Sequence, residues 1–314
     1  MPENYRPIAL TNQISKGMET PMREAIIIHM ETIGMIDPSQ HGSTKSKSTL
    51  TQLLLQTQTI LYMLEHGENV EIIYLDFAKA YDKLDHQNLL MKLEKIGIKG
   101  NNLKWIKSWL TNRKKSVQIN EVLSTWRNVT SGIPQGSVLG PLLFLIYIWD
   151  LNINDLHKPN IMALILKYVD DTKLITKVKN ENDIIETQVI LDHIYKWQSI
   201  NNMEWNGTKF VRLSMGPLIT PIETPLFTPE YEQIINQPSN TKDLGVLIDS
   251  DARHLSQRNS AIKKCANKCS WILRTFQCRD PEVLIMLWKI LACPHLELLA
   301  KTFQGQITKL LEKK

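Results

Sequence analysis

The sequence predicts an α+β fold that is large enough to bury a substantial core. Three observations support this class. The chain has 314 residues, of which 43% are hydrophobic. Some segments carry apolar residues at helical spacing, and others have the composition of strands joined by tight turns. No internal repeat or low-complexity tract interrupts this alternation. A chain of this length is expected to divide into two or three subdomains.

The expected elements follow one another without a long gap. Helix signals come from apolar residues three and four apart and from Asp85, which is placed to cap the helix that follows it. Strand signals come from β-branched and aromatic runs beside turn residues. In chain order we expect helices at 12–34 and 49–66, a strand at 70–77, helices at 86–98 and 103–110, two strands around a turn near Asn120 and Glu121, a loop and buried helix in 131–151, a hairpin at 166–175, a helix at 181–200, a strand at 242–249, and helices at 255–276 and 281–291.

Composition indicates a basic protein of a reducing compartment. The net charge is +5 and the pI is about 8.8, which suits a polyanionic partner without identifying it. The N-terminus lacks a signal pattern, and the longest apolar stretch, Val138 to Trp149, has 12 residues and is too short to span a bilayer. The four cysteines lie in the last quarter of the chain, unlike a disulfide framework. We therefore expect an intracellular protein without a membrane segment.

Three aspartates stand at the ends of expected strands. The apolar strand of 70–77 ends at Asp76, and Asp170 and Asp171 form the centre of LKYVDDTKLI, a hairpin with charge at its tip. Two adjacent like charges are costly in a partly desolvated site unless a cation compensates them. Carboxylates gathered from separate strands are what two Mg²⁺ ions require for phosphoryl displacement. A solvated acidic turn is the alternative that the spacing leaves open.

Seven blocks of the sequence carry a resemblance to a known family. In chain order they are NYRPIALTN, DPSQHGSTKSKSTLTQLL, YLDFAKAYDKLDH, SGIPQGSVLGPLLFLIYIWDL, YVDDTKL, MEWNGTKF and KDLGVLID. Together they resemble the reverse transcriptases of non-LTR (LINE-type) retrotransposons. The resemblance covers nearly the whole chain, and the DFAKAYDKLDH and GIPQGSVLGPLLF blocks are almost uninterrupted.

The resemblance implies a right-hand polymerase fold with fingers, palm and thumb, in which an antiparallel palm sheet packs on helices. On this basis we expect partial fingers at 1–66. The palm, with interleaved fingers elements, would occupy 67–235, and its blocks would be those at 70–85, 131–151, 166–175 and 203–215. The end of the palm and a partial thumb would occupy 236–314.

The resemblance also implies the catalytic residues. Asp76 matches the first catalytic aspartate, and Asp170 and Asp171 match the second block, where the first of the pair is the firmer metal ligand. Phe77 matches a position whose backbone carbonyl faces a metal ion. The implied cofactor is a pair of Mg²⁺ ions, with Mn²⁺ as a substitute. Lys209, in NGTKF, matches a candidate general acid for the departing pyrophosphate, although an ordinary surface lysine is the alternative.

Further residues are implied to contact the incoming nucleotide. Tyr81 matches the aromatic residue that lies beneath the sugar and excludes a 2′-hydroxyl by its shape; a core aromatic is the alternative. Gln135 and Gly136, in PQG, match a loop that lies against the nucleotide and the template, where glycine permits close approach. Three cations are expected to reach the triphosphate, namely Arg6, Lys45 and Lys47.

The implied partners are an RNA template, a DNA primer and deoxynucleoside triphosphates. We also expect association with the element RNA, an endonuclease domain outside this chain, and a location in the cytoplasm and nucleus. The segment from Asp251 to Arg279 has a helical pattern and contains seven Lys and Arg residues but a single acidic residue. This composition is expected of a thumb helix that follows a nucleic-acid backbone. A solvated helix face is the alternative. Cys265 and Cys269 lack a second Cys or His pair at zinc-finger spacing, which disfavours zinc.

Several departures from the family pattern suggest a second function. In relatives, the fingers block is similar to QHGFRKGRS. In this chain, Ser43 stands in place of the aromatic residue and Thr44 in place of the arginine. Trp149 stands where relatives have Asn. The chain begins at the NYRP block and resembles a fragment or a decaying copy. An inactive relic that only binds nucleic acid is therefore the alternative to a working polymerase. An RNA-copying RNA polymerase or an intron maturase is a third reading, which Tyr81 and the LINE-like blocks oppose.

Overall fold

The computed structural model describes residues 9–35, 37–153, 161–216 and 224–297. Helices in these ranges are α1 (Gln13–Thr32), α2 (Thr49–Glu65), α3 (Ala80–Lys83), α4 (His86–Lys95), α5 (Gly100–Leu110), α6 (Gly140–Tyr147), α7 (Glu181–Ile200), α8 (Leu255–Thr275) and α9 (Pro281–Leu291). Strands are β1 (Asn69–Leu75), β2 (Lys114–Lys115), β3 (Gln118–Ile119), β4 (Val122–Leu123), β5 (Arg127–Asn128), β6 (Ala163–Tyr168), β7 (Asp171–Val178), β8 (Val211–Met215), β9 (Asn240–Asp243) and β10 (Val246–Asp249). Among the described helices, none combines the length and the apolar composition needed to cross a bilayer.

The central element is a four-stranded antiparallel sheet with the strand order β6-β7-β1-β8. Successive side chains of β1 point to opposite faces. Ile73 and Leu75 belong to the larger core, which includes residues of α4, α6 and α7, whereas Val70 and Ile72 belong to a second core with residues of α2. The sheet is therefore covered on both faces, and the predicted α+β class is confirmed.

Most predicted elements are present with ends that shift by up to three residues. The Asp85 cap is confirmed, since its carboxylate accepts the amide of Asn88 at 2.8 Å. The expectation of one continuous strand at 242–249 is wrong. Leu244 and Gly245 both have positive φ values, +46° and +89°, and form a two-residue turn between β9 and β10. Positive φ at both central residues is the geometry that folds a chain back into a tight hairpin.

A buried glutamate joins α1 to the start of α6. The Glu19 carboxylate is fully buried and accepts the backbone amides of Val138 and Leu139 at 2.7 and 3.0 Å. It also accepts the indole N–H of Trp109 at 3.1 Å and the hydroxyl of Ser15 at 3.0 Å. Amides at the start of a helix lack partners within the helix, and a carboxylate there also meets the positive end of the helix dipole. Glu19 therefore anchors the loop that precedes α6.

A buried ion pair joins the β9–β10 hairpin to the central sheet. Lys173 on β7 donates to both carboxylate oxygens of Asp243 at 2.6 Å and to the side-chain oxygen of Gln56 on α2 at 2.7 Å. The two charged side chains are only 2% and 4% exposed. Burial lowers the pKa of Lys173, and the charge of Asp243 opposes that shift. The hairpin is thus held by a charge pair that water does not reach.

We expect Asp243→Ala to lower the free energy of unfolding by about 3–5 kcal/mol at pH 7, because it leaves the Lys173 ammonium buried without its partner. The deficit should shrink as pH rises toward 10, since the pKa of Lys173 is already depressed in the folded state and falls further without Asp243. Urea denaturation measures both effects.

Arg253→Ala is the matched control for this prediction. Arg253 pairs with Asp251 at 4.0 Å on the surface, where it is 76% exposed, and its loss should cost below about 1 kcal/mol. Equal losses in the two variants would show that the Lys173–Asp243 pair does not hold the hairpin.

Candidate active site

Strand pairing brings the three aspartates to one end of the central sheet. Leu75 at the end of β1 pairs with Thr172 near the start of β7. Asp76 is the residue after Leu75, and Asp171 is the residue before Thr172. The antiparallel register therefore places both aspartates at the same end of the sheet. Asp170 precedes Asp171 in the turn between β6 and β7. The expected hairpin with its charged tip is therefore present.

The turn that carries Asp170 has an unusual backbone. Tyr168 pairs with Asp171 across the β6–β7 hairpin, which leaves Val169 and Asp170 as the two turn residues. Val169 has a φ of +58°, a left-handed conformation that β-branched residues rarely adopt. Such a conformation persists only where surrounding contacts hold it.

Burial and neighbouring charges alter the ionisation of Asp171. The pKa of Asp171 is raised to about 6, first by desolvation and then by the negative charges of Asp170, Asp76 and Asp243, while Lys173 acts in the opposite direction. The strand register places these carboxylates at the same end of the sheet, where their charges disfavour the ionised form of Asp171. A cation placed among them would relieve the repulsion.

Lys209 lies at the same site. Its ammonium donates to Oδ2 of Asp76 at 2.7 Å, and the lysine side chain is 60% exposed. The backbone also joins the two segments, because the amide of Asn206 donates to the carbonyl of Asp76 at 2.7 Å. The structure therefore brings together two residues that are 133 positions apart in sequence.

Tyr81 lies on α3 beside the aspartates. Its ring stacks on Phe144 of α6, with 4.8 Å between centroids and 11° between planes. Desolvation and the charge of Asp170 raise the pKa of the Tyr81 phenol to about 12. The backbone carbonyl of Tyr81 accepts the amide of Ile133, which ties α3 to the loop before α6. Tyr81 is thus a partly buried aromatic residue near Asp170, and its ring packs against Phe144.

The PQG loop lies between Ile133 and the anchored start of α6. Gln135 is half-buried and its carbonyl accepts the amide of Ala9 at 2.9 Å. Gly136 is exposed and has a φ of +98°, which favours glycine over any residue with a side chain. The exposed glycine backbone leaves room for a ligand to approach this loop.

The three expected triphosphate cations differ in their placement. Arg6 lies outside the described residues. Lys45 is exposed and lines a cavity of about 590 Å³ with Thr44 and residues of α1 and α6. The ammonium of Lys47 donates to the carbonyls of Pro38 and Gln40 at 2.6 and 2.9 Å, so it stabilises its own loop. Burial also lowers its pKa.

Phe77, expected to offer its carbonyl to a metal ion, has a buried side chain that is 3% exposed. Its ring stacks on Trp205 at 3.8 Å and 16°. Across the part of the chain that the structure describes, no three His, Cys, Asp or Glu side chains converge as a metal cage. Mg²⁺ sites that act on phosphates need only one or two carboxylates, with substrate oxygens and water completing the shell. Carboxylates on two adjacent strands fit that requirement.

Helix α8 carries the basic segment predicted at 251–279. Lys268 lies over the ring of Trp271 at 5.3 Å, and Trp271 meets Phe276 edge to face at 5.8 Å. Two buried residues that hold segments near the site were not predicted from the sequence: Glu19, which anchors the loop before α6, and Gln40, whose side-chain oxygen accepts the amide of Val169 at 3.0 Å. A polar residue within an amphipathic helix or a loop carries no local sign that it is buried.

We expect Asp76→Asn to lower the pKa of Asp171 from about 6 toward its ordinary value, because one of the neighbouring negative charges is removed. Carboxyl-carbon NMR titration of metal-free protein measures this shift. Since the folded-state pKa of Asp171 is raised, its contribution favours the folded state below pH 4 and is lost as pH rises through 6. Asp251→Asn, at an exposed position, should leave the Asp171 titration unchanged. An unshifted Asp171 titration in Asp76→Asn would contradict the proximity of the two groups.

Curated relatives of the chain are RNA-directed DNA polymerases of mobile elements. It is 27% identical over 309 residues to a probable RNA-directed DNA polymerase from transposon X-element of Drosophila melanogaster. It is 26% identical over 304 residues to the RNA-directed DNA polymerase from mobile element jockey of Drosophila funebris. Each match covers 94% of this chain and 32% of the relative, so the chain spans about a third of their length.

A solved structure and a family profile agree with these relatives. The structure of telomerase from Candida albicans in complex with a TWJ fragment of telomeric RNA superposes with a TM-score of 0.53 at 14% identity, covering 92% of this chain and 48% of that one. This likeness supports the predicted polymerase fold. The profile of the family described as reverse transcriptase (RNA-dependent DNA polymerase) matches residues 2–248. The chain therefore belongs to the reverse transcriptase family.

Proposed function

We propose that this chain is an RNA-directed DNA polymerase domain of a non-LTR retrotransposon, which extends a DNA primer on an RNA template. The observation that carries the proposal is the arrangement of Asp76, Asp170 and Asp171 at one edge of the sheet, beside Tyr81 and Lys209. Family membership supports the reaction class. Neither the comparisons nor the described residues add support for the inactive alternative, which rests on the sequence departures at Ser43, Thr44 and Trp149.

In this proposal, Asp76 and Asp170, with Asp171 and the carbonyl of Phe77, hold two Mg²⁺ ions, which Mn²⁺ can replace. When bound, the two ions supply charge stabilisation to the attacking and leaving oxygens of the displacement. Desolvation, and after it the charges of the neighbouring carboxylates, raise the pKa of Asp171, so that three charged carboxylates are disfavoured without a cation. Cation binding therefore offsets an unfavourable interaction built into the folded chain.

Lys209 has a role that follows from its ion pair. Its ammonium now neutralises Asp76 at 2.7 Å. We propose that Lys209, when not paired with Asp76, would donate a proton or a hydrogen bond from its ammonium to the departing pyrophosphate. The lysine side chain is long and largely exposed, so its separation from Asp76 needs no rearrangement of the sheet.

Tyr81 and the PQG loop would select and hold the nucleotide. The ring of Tyr81 packs against Phe144, which restricts the movement of Tyr81 that a larger sugar would require. Gly136 exposes its backbone in the PQG loop, and Lys45 offers an exposed charge for the triphosphate. The cationic face of α8 would follow the primer–template backbone in a thumb, with the N-terminal helices forming fingers around a palm sheet. This activity would place the chain in the cytoplasm and nucleus, with element RNA and an endonuclease domain as partners.

We expect Asp76→Asn and Asp170→Asn to reduce primer extension on an RNA template by about a thousandfold or more, because each removes a carboxylate that offsets several kcal/mol of charge development. Single-nucleotide incorporation with Mg²⁺ measures this loss, and circular dichroism checks folding. Asp251→Asn removes an exposed carboxylate from the loop between β10 and α8 and should retain activity. Full activity in Asp76→Asn would refute the proposed function.

The sugar-selection role of Tyr81 can be tested separately. We expect Tyr81→Val to lower the preference for deoxynucleotides over ribonucleotides by about 10- to 200-fold, since a steric contact worth roughly 1–3 kcal/mol is lost. The measurement is the ratio of kcat/KM for the two nucleotides. Tyr81→Phe keeps the ring and should keep the preference. If Tyr81→Val and Tyr81→Phe show the same preference for deoxynucleotides, the Tyr81 ring does not select the sugar.

A further inference from the structure

The segment Ser39–Gly42 extends the central sheet beside β6. The amide of Lys167 donates to the carbonyl of Ser39 at 2.9 Å, and the amide of His41 donates to the carbonyl of Lys167 at 2.8 Å. Gln40 and Lys167 form a parallel bridge. This short pairing ends where β6 reaches the turn that carries Asp170. A loop distant in sequence therefore borders the catalytic hairpin on its open edge.

Gln40 contacts the turn itself. Its side chain is 5% exposed, and its Oε1 accepts the amide of Val169 at 3.0 Å and the amide of Gly42 at 2.8 Å. These two backbone donors fix the orientation of the Gln40 side-chain amide. The flipped orientation would place its NH₂ group against the two backbone N–H groups. The Gln40 oxygen is thus the acceptor that holds the N–H of the residue before Asp170.

Gly42 packs against the same residue. A side-chain carbon built at Gly42 would lie 2.6 Å from Cγ2 of Val169 and 2.7 Å from its backbone nitrogen. Only glycine allows the loop to approach this closely. Val169 is therefore confined on one side by the Gly42 backbone and bound by the Gln40 oxygen. These contacts are suited to hold its disfavoured φ of +58°.

We propose that Gln40 is a positioning residue of the polymerase, which holds the Val169 backbone so that Asp170 is directed toward Asp76. This inference rests on the proposed function, because the geometry of Asp170 matters only if the aspartates act together. Gln40 itself touches neither nucleotide nor metal ion in this scheme. Its effect passes through one hydrogen bond to one backbone amide.

The test compares Gln40→Met, which keeps the volume but offers no oxygen, with the unaltered chain. We expect kcat with Mg²⁺ to fall by roughly 10- to 100-fold, since a misplacement of about 1 Å carries a cost of that order. KM for the deoxynucleotide should stay within about twofold, because no nucleotide contact changes. The ratio of Mn²⁺-supported to Mg²⁺-supported activity should rise at least about threefold, because Mg²⁺ demands the stricter coordination geometry.

A second readout does not depend on turnover. In metal-free protein, NMR hydrogen exchange of the Val169 amide should be slow in the unaltered chain and at least about tenfold faster in Gln40→Met, since the acceptor is gone. Gln40→Glu keeps an acceptor oxygen and should retain most of the protection. Gly42→Ala should reproduce the raised Mn²⁺ to Mg²⁺ ratio by displacing Val169 from the other side. Ser39→Ala keeps the backbone pairing and serves as the matched control.

The outcomes separate this proposal from the proposed function. A generally destabilised Gln40→Met would lose activity equally with both metals, and an unchanged metal ratio would therefore overturn the positioning role. If the unaltered chain incorporates no nucleotide with either metal, the proposed function fails. Val169 exchange and Mn²⁺ affinity by EPR then decide the positioning role. Faster exchange with at least about threefold weaker Mn²⁺ binding in Gln40→Met supports it, and either quantity unchanged overturns it.

Discussion

The antiparallel register between β1 and β7 is the constraint on which the rest of the structure depends. Side chains alternate between the faces of a sheet, so a slip of one residue would exchange the two cores and move Asp76 away from Asp171. Ile73 and Leu75 face one core and Val70 and Ile72 the other. Burial on both faces therefore specifies the register strongly, and the position of the aspartates follows from it.

Buried polar side chains then fix the segments that surround the sheet. Glu19 holds the start of α6, Gln40 holds the turn before Asp170, and the Lys173–Asp243 pair holds the β9–β10 hairpin. Burying each group is costly unless its hydrogen bonds are satisfied, so each has a narrow choice of partners. Apolar packing tolerates small shifts, whereas a hydrogen bond to one backbone amide does not. This difference explains why polar contacts lie where the site requires accurate geometry.

Charge at the site is balanced differently from charge in the core. Lys173 and Asp243 compensate each other almost out of reach of water. At the site, Asp76 pairs with Lys209, whose side chain is 60% exposed. Desolvation, followed by the charges of the neighbouring carboxylates, raises the pKa of Asp171. The folded chain therefore holds an excess of negative charge at the edge where a nucleotide and its cations are proposed to bind. The Lys and Arg side chains of α8 are exposed and suited to a phosphate backbone.

The sequence by itself determined most of the elements, the family and the identity of the candidate catalytic residues. Helical spacing, the strand before Asp76 and the YVDD turn are local patterns, and local patterns are what a linear sequence displays. Only the tertiary structure decided how those residues are held. Glu19 and Val138 are 119 positions apart, Gln40 and Val169 are 129 apart, and Lys173 and Asp243 are 70 apart. The Leu244–Gly245 turn likewise became evident only when β9 and β10 were seen to pair. The partner of a buried polar group is chosen by proximity in three dimensions, and no spacing along the chain records that choice.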